Sequence, residues 1–304
     1  MADFLDLSAE QKALFLPNNK FPLNLPLRLA QKIEKQNIHD PIAKQFLPHI
    51  DEQEKTSAFS EDPTGDMACR RTTKLLQKYQ GRALLVCTSA CAMHCRYCFR
   101  QNFDYAVKEP LFEEELKIIE ADTSLHEVIL SGGDPLSLSD EILHILLERL
   151  CKIPHVHRIR IHTRFPIGIP ERIDEKFLHV IKSLSKQIWF IIHANHPLEL
   201  DDDVVECLGK LRKLGAVILN QSVLLKGVND NVETLKELCE RLVNNGIVPY
   251  YLHQLDRVEG AARFEVSEEK GKMLVEDLRK QLSGYAVPLY VKEIYGEPSK
   301  TPLL

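Results

Sequence analysis

From Arg82 onward, short runs rich in β-branched residues alternate with amphipathic segments of helix length. This alternation predicts βα units around a parallel sheet, because a helix returns the chain before the next parallel strand begins. We expect strands at 83–88, 127–131, 157–162, 188–193, 216–223 and 248–254. We expect helices at about 111–120, 139–151, 171–184, 199–214, 231–245 and 267–282. Six such repeats predict an α/β fold, a partial, TIM-like (βα)6 barrel rather than a closed barrel of eight strands.

The remaining residues extend this barrel at both ends. Residues 1–80 place turn-forming residues between short helical patterns, which predicts an N-terminal helical collar. We therefore expect the barrel at 81–286 and a short C-terminal segment at 287–304. A chain of 304 residues is long enough to bury a full core.

Charge and cysteine content narrow the classes of partner. The chain has 39 Lys and Arg against 44 Asp and Glu, a net charge of -5, so it lacks the basic excess that nucleic-acid binding requires. No apolar run approaches the roughly 18 residues of a membrane span. Eight cysteines without a charged and then apolar leader indicate a reducing cytoplasm. We expect a cytoplasmic protein that acts on a small molecule, with no nucleic-acid or membrane partner.

Three cysteines follow the first predicted strand in the run Cys91-Ala-Met-His-Cys95-Arg-Tyr-Cys98. This spacing places three thiolates around one loop, where they can bind three irons of a 4Fe–4S cluster and leave the fourth iron open. A structural zinc site would need a fourth ligand nearby and two Cys-x-x-Cys pairs. The remaining alternative is three unrelated reduced thiols.

Polar residues follow each of the other predicted strands, and the carboxyl ends of barrel strands share one rim where active sites lie. These residues are Gly132-Gly133-Asp134-Pro135, His162-Thr-Arg164, His193-Ala-Asn-His196, Asn220-Gln221-Ser222 and His253-Gln-Leu-Asp256. The two glycines let the backbone approach a ligand, and Asp134 supplies a carboxylate for an ammonium group. For His193 and His196, hydrogen bonding at the rim is favoured over zinc binding.

Lys300 lies near the carboxyl end between Pro298 and Pro302, which stiffen the chain and can aim its side chain. An amine desolvated in a pocket loses basicity and can form a Schiff base with an aldehyde cofactor. A solvated surface lysine is the simpler alternative.

Together these motifs resemble the lysine 2,3-aminomutase family of radical S-adenosylmethionine (SAM) enzymes. The resemblance covers about residues 20–304 and includes His162-Thr-Arg-Phe-Pro166, Tyr250-Tyr-Leu-His-Gln-Leu-Asp256 and Ser283-Gly-Tyr-Ala-Val-Pro288. Within the family, Gly296-Glu-Pro-Ser-Lys-Thr-Pro-Leu303 is similar to the branch that serves β-lysylation of elongation factor P. We also expect the extra carboxyl-terminal segment of the longer catabolic members to be missing.

The resemblance implies three cofactors and a lysine substrate. Cys91, Cys95 and Cys98 would bind the 4Fe–4S cluster. The contacts to SAM would come from Gly132, Gly133, Asp134, His193 and Gln221. Lys300 would hold pyridoxal 5'-phosphate (PLP) covalently and act as the catalytic lysine, with Arg82, or less securely Lys78, on the phosphate. Substrate lysine would be bound through its α-carboxylate by Arg100 and through its ε-ammonium by Asp256 and Glu293.

The resemblance further implies an isomerase that converts L-α-lysine to β-lysine through a radical. Its partners would be a reductant such as flavodoxin or ferredoxin and, through its product, elongation factor P and the ligase that modifies it. A free-lysine enzyme that makes β-lysine for catabolism or osmoprotection remains the main alternative. The acids at 256 and 293 disfavour a glutamate aminomutase. A non-catalytic iron–sulfur protein is disfavoured because the glycines, Lys300 and both acids are present.

Overall fold

The computed structural model describes residues 1–16, 20–105 and 112–304. In these residues one sheet of nine strands forms, and its strands neighbour each other in chain order. Strands β2 to β8 are parallel, while β1 and β9 are antiparallel edge strands. Their bounds are β1 Leu75–Leu76, β2 Arg82–Val86, β3 Glu127–Ser131, β4 Arg158–Thr163, β5 Gln187–Ile192, β6 Val217–Val223, β7 Val248–His253, β8 Leu289–Lys292 and β9 Thr301–Pro302. The predicted fold class, a partial TIM-like α/β barrel, is confirmed.

Helices cover the outside of the sheet, and those of the barrel each follow a parallel strand. Five of them begin at a side chain that accepts a hydrogen bond from the first turn, namely Ser139, Asp174, Asp201, Asn231 and Ser267. The bounds are α1 Ala9–Ala13, α2 Leu27–Ala30, α3 Pro41–Phe46, α4 Glu113–Ala121, α5 Asp140–Lys152, α6 Phe165–Gly168, α7 Glu175–Ser183, α8 Asp202–Lys213, α9 Val232–Asn244 and α10 Glu268–Gln281. Residue 111, where the first predicted helix begins, lies outside the described residues.

The sheet has one more parallel strand than the six predicted. Strand β8 pairs in parallel with β7, and β9 then turns back along β8. The run Leu289–Lys292 is four residues long and directly follows Pro288, so it gives no alternation that sequence reasoning could use. Residues 287–304 thereby extend the sheet and place Lys300 beside its edge.

The N-terminal region packs against the barrel. Leu29, Ile42 and Phe46 are fully buried in the same apolar core as the strand residues. This packing brings α3 next to the loop that follows β2, where the three cysteines lie. Within the described residues, no helix combines the length and the apolar character needed to cross a bilayer.

Candidate active site

The loop after β2 carries the three predicted iron ligands, Cys91, Cys95 and Cys98, which are free thiols. Residues of the N-terminal region hold the backbone of this loop. The Asn24 side chain donates to the Cys91 carbonyl at 2.9 Å, and the Asn24 carbonyl accepts from the His94 N–H at 2.9 Å. The Gln45 carbonyl accepts from the Arg96 N–H at 2.8 Å. The N-terminal region therefore helps to shape the cysteine loop.

The three sulfur atoms form a donor set that fits an iron–sulfur cluster. Burial raises the pKa of the Cys98 thiol to about 12 and also raises the pKa of the Cys91 thiol, and nearby Cys95 adds to both shifts. Thiolates in such surroundings need a nearby positive charge, which iron would supply. Across residues 1–16, 20–105 and 112–304, no three His, Cys, Asp or Glu side chains group as ligands of a single ion. A cluster differs because each thiolate binds its own iron.

Gly132 and Gly133 lie against the backbone that leads into the cysteine loop. At Gly132, with φ +124°, a Cβ would lie 2.6 Å from the Thr88 carbonyl oxygen. At Gly133 it would lie 2.2 Å from the Ala90 carbonyl oxygen. The Gly133 N–H also donates to the Thr88 carbonyl at 2.7 Å. Both glycines therefore allow the loops after β2 and β3 to touch, and their contact with SAM stays a prediction.

The Asp134 carboxylate ties the end of β3 to the end of β4. It accepts from the Thr163 hydroxyl at 2.8 Å, from the Arg164 N–H at 2.6 Å and from the Leu136 N–H at 3.0 Å. Burial raises the pKa of Asp134 to about 6, although these hydrogen bonds oppose the shift. The structure thus gives Asp134 a cross-strand role, and its predicted contact with an ammonium group of SAM remains untested.

Three histidines face the barrel mouth at the ends of β4, β5 and β7: His162, His193 and His253. The Nε2 atoms of His162 and His193 are buried and have no hydrogen-bond partner within the described part of the chain. Burial lowers the pKa of all three, to about 3 for His193, and the charge of Lys300 further lowers the pKa of the other two. Neutral rings with a free nitrogen are available to a ligand. Sequence reasoning placed only His193 in a ligand site.

Lys300 reaches the same mouth from the opposite end of the chain. Its side chain is 27% exposed, and its Nζ lies 2.6 Å from Glu293 Oε2. The pairing of Lys292 with Thr301 in β8 and β9 sets Glu293 and Lys300 opposite each other at the next position. The Tyr79 hydroxyl donates to the other Glu293 oxygen at 2.6 Å. Glu293, predicted to bind the substrate ammonium, is here the ion-pair partner of Lys300.

Asp66 joins two predicted site residues and was missed by sequence reasoning. Arg100 Nε donates to Asp66 Oδ2 at 2.7 Å, and Lys78 Nζ lies 2.6 Å from Asp66 Oδ1. Arg100 Nη1 also donates to Ser131 Oγ at 3.0 Å, at the end of β3. Burial alone would raise the pKa of Asp66, but Arg100 and Lys78 outweigh it and hold that pKa well below its usual range. Asp66 lies within residues 1–80, which were interpreted only as a helical collar with turn-forming residues between short helices.

Asp256 and Gln221 are two further predicted contact residues, and their side chains make no hydrogen bond or ion pair with the described residues. Burial raises the pKa of Asp256 to about 7 against the opposing charge of Lys300, which places the two side chains near each other. Among the described residues no cation lies within 4 Å of the Asp256 carboxylate. Gln221 is half-buried in β6, where the pairing with β7 is irregular. The contacts of Asp256 with the substrate ammonium and of Gln221 with SAM remain predictions.

Two arginines line the barrel interior nearer the amino ends of the strands. Arg82 lies over the Tyr79 ring at 4.4 Å. Arg160 pairs with Glu127 at 2.8 Å, and its Nε is buried without a partner in the described residues. Arg82 also acts electrostatically on Arg160, which places the two guanidinium groups close together. Sequence reasoning named Arg82 but not Arg160, because an arginine inside a strand gives no motif.

Comparisons with known proteins agree with the motifs. Residues 85–242 match the Radical SAM superfamily. L-lysine 2,3-aminomutase of Escherichia coli (strain K12) is 42% identical over 304 residues, which cover 98% of this chain and 89% of that protein. L-lysine 2,3-aminomutase of Haemophilus influenzae is 39% identical over 303 residues, covering 95% of this chain and 90% of that protein.

Solved structures agree on the fold. Streptococcus suis SuiB bound to the precursor peptide SuiA superposes with a TM-score of 0.54 at 16% identity, over 72% of this chain and 50% of that chain. The family resemblance predicted from the motifs is confirmed. The chain therefore belongs to the lysine 2,3-aminomutase family of radical SAM enzymes, isomerases whose cofactors are a 4Fe–4S cluster, SAM and PLP.

Proposed function

We propose that this chain converts L-α-lysine to β-lysine and that the product serves post-translational β-lysylation of elongation factor P. The proposal rests on the observation that two parts of the chain far apart in sequence, the C-terminal segment with Lys300 and the cysteine loop, lie at the same mouth of the barrel. The charge of Lys300, which is paired with Glu293, lowers the pKa of both His162 and His253. The charge of Arg100, which follows the cysteine loop, also lowers the pKa of His162. A lysine and a thiol-rich loop at one mouth fit a reaction that uses both a covalently held aldehyde and an iron–sulfur cluster.

The residues for PLP lie along the barrel interior. PLP supplies an aldehyde that captures an amine and a π-system that lets nitrogen migrate. Lys300 would hold the cofactor, because its Nζ lies at the mouth, 2.6 Å from Glu293 Oε2. Arg82 and Arg160 would bind the phosphate, because the two guanidinium groups lie close together and Arg160 Nε is buried and unpartnered. Lys78 is the weaker phosphate candidate because Asp66 already binds it at 2.6 Å.

The residues for lysine bind its two ends. Asp66 and Ser131 fix the Arg100 guanidinium through Nε and Nη1, which orients it to receive an α-carboxylate. Asp256 carries no ion pair with the described residues and would receive the ε-ammonium. Glu293 would join it once Lys300 is engaged by the cofactor and no longer presents an ammonium. The protein then places the substrate and excludes water from the reacting atoms.

The test is anaerobic reconstitution with iron, sulfide, PLP, SAM and lysine, followed by chromatography for β-lysine. Lys300→Ala should remove the visible absorbance of lysine-bound PLP and leave the cluster intact. Cys95→Ala should do the reverse. Lys292→Ala is the matched control, because Lys292 lies in the neighbouring strand β8 and pairs at 2.6 Å with Glu268 of helix α10. PLP bound equally well by Lys300→Ala would contradict the assignment.

The use of the product is tested in cells. The similarity of residues 296–303 to the elongation factor P branch supports this use. Deletion of the gene should lower the mass of elongation factor P by one lysyl residue, and growth should fall with it. A loss of free β-lysine with no change in that mass would instead favour production for catabolism or osmoprotection. The proposed compartment is the cytoplasm, supported by eight free cysteines, with flavodoxin or ferredoxin as electron donor.

A further inference from the structure

Arg164 is a buried arginine whose guanidinium lies beside the cysteine loop. It follows β4, and its side chain is 5% exposed. Its backbone N–H is fixed by Asp134 at 2.6 Å, and its guanidinium lies over the Phe46 ring at 4.7 Å. The position of the charge is therefore set both by the backbone and by an aromatic face.

The four Nη hydrogens of Arg164 have four partners. Nη1 donates to Cys95 Sγ at 2.7 Å and to the Tyr97 hydroxyl at 2.5 Å. Nη2 donates to Gln45 Oε1 at 2.8 Å and to Glu199 Oε2 at 2.6 Å. Arginine has no acceptor, so the Cys95 sulfur is the acceptor. Gln45 from the collar and Glu199 from the loop after β5 thus aim one N–H at a predicted iron ligand.

We propose that Arg164 is a positioning residue of the cluster, which donates a hydrogen bond to the Cys95 sulfur and thereby raises the cluster's reduction potential. This inference rests on the proposed cluster site. Hydrogen bonds to ligand sulfurs and nearby charge are among the factors that set the potential of such clusters. Because the guanidinium is permanently charged and excluded from solvent, it favours the state with one more electron.

The redox step involves one electron and no bond rearrangement at Arg164. The oxidised cluster accepts one electron from a low-potential one-electron donor, which is dithionite in the test. The charge of the cluster thereby becomes more negative by one unit. No proton moves to or from the guanidinium. Glu199, the buried counter-ion, acts on the same cluster with the opposite sign.

The test is a redox titration of the reconstituted cluster followed by electron paramagnetic resonance. Arg164→Met should lower the reduced-to-oxidised ratio at least tenfold at the wild-type midpoint, a shift of about 59 mV for one electron. Arg164→Lys should lie between the two, because it retains charge without the fixed geometry. Glu199→Gln should shift the potential upward. Arg172→Met is the matched control, because Arg172 is a half-buried arginine that instead donates to the Leu136 and Leu138 carbonyls and pairs with Asp140.

Opposite shifts for the Arg164 and Glu199 variants separate an electrostatic role from a structural one, because lost packing would not reverse sign. If the single variants fail to hold iron, the double variant Arg164→Met/Glu199→Gln removes the whole pair. Its potential should lie below that of the wild type, by less than is expected for Arg164→Met alone, because the loss of Glu199 offsets part of the loss of Arg164, which contacts the Cys95 sulfur directly. Wild-type protein with ¹⁵N-guanidino arginine should show nitrogen coupling to the reduced cluster in pulsed resonance, and this coupling should persist in Arg100→Lys.

Two negative results have different meanings. If wild-type protein takes up no cluster, or if Cys95→Ala retains a normal one, the proposed cluster site fails. If the wild type holds its cluster and makes β-lysine, but Arg164→Met leaves the potential unchanged or the labelled wild type shows no nitrogen coupling, only the role of Arg164 is overturned.

Discussion

Gly133→Ala tests the contact between the loops after β2 and β3. The added Cβ would lie 2.2 Å from the Ala90 carbonyl oxygen and 2.7 Å from the Ser89 carbonyl oxygen. Both are backbone atoms, so no side-chain rotation relieves the overlap. Ordinary contact begins at 3.4 Å, so the segment that leads into Cys91 must move by about 1.2 Å.

The magnitude follows from overpacking and from the hydrogen bonds that the displacement weakens. Overpacking a close-packed site costs about 1–3 kcal/mol. The Gly133 N–H to Thr88 bond at 2.7 Å and the Asp134 N–H to Ala90 bond at 2.8 Å would both stretch, each worth about 0.5–1.5 kcal/mol. We expect a loss of about 2–4 kcal/mol in the free energy of unfolding. For a chain of 304 residues that lowers Tm by about 3–6 °C.

The assay combines thermal unfolding with iron and sulfide content after anaerobic reconstitution. Gly133→Ala should lower both Tm and iron content, because the displaced segment carries the first predicted iron ligand. Gly209→Ala is the control, since its Cβ in α8 would have no atom within 4 Å. Alanine is favoured over glycine in a helix interior by about 1 kcal/mol, so this variant should keep its iron and gain slightly in Tm. Wild-type Tm and iron content in Gly133→Ala would refute the reasoning.

Two further predictions concern buried acids at the mouth. Asp66→Asn leaves Arg100 and Lys78 without their shared counter-charge and should lower the free energy of unfolding by about 3–5 kcal/mol at pH 7. The pKa of Asp66 is lower in the folded than in the unfolded state, so its contribution to the free energy of unfolding is present above the unfolded pKa near 4 and is lost as the pH falls. In urea unfolding, the difference in stability between wild type and Asp66→Asn should therefore be smaller at pH 3 than at pH 7. Burial raises the pKa of Asp256 to about 7, so kcat/KM for lysine should rise as the pH passes through that value, and Asp256→Asn should flatten the profile. Because the pKa of Asp256 is higher in the folded than in the unfolded state, the free energy of unfolding should fall as the pH rises from about 4 to about 7. Asp256→Asn should remove this fall. An unchanged unfolding curve for Asp66→Asn, or an unaltered pH profile for Asp256→Asn, would contradict these assignments.

Much of the fold could be predicted from patterns among residues that are close in sequence. The alternation after Arg82 gave six of the seven parallel strands and the helices between them, because strand and helix periods depend on neighbouring residues. The helices predicted from residues 139 and 231 begin one residue later, with Ser139 and Asn231 as their capping residues. Strand β8 was missed because four residues after a proline carry too little pattern. Its place in the sheet depends on pairing with β7, about 40 residues earlier.

The amino-acid sequence alone determined which functional groups the protein contains: three closely spaced thiols, two adjacent glycines, and a lysine near the carboxyl end. Only the tertiary structure decided their partners. Asp66 lies 34 residues from Arg100, and Gln45 lies 119 residues from Arg164. Glu293 faces Lys300 because the edge strand β9 pairs with β8, although it resembled a substrate-binding acid. The reason is physical: a residue's type fixes what it can bind, but burial and neighbouring charges from distant segments fix what it does bind.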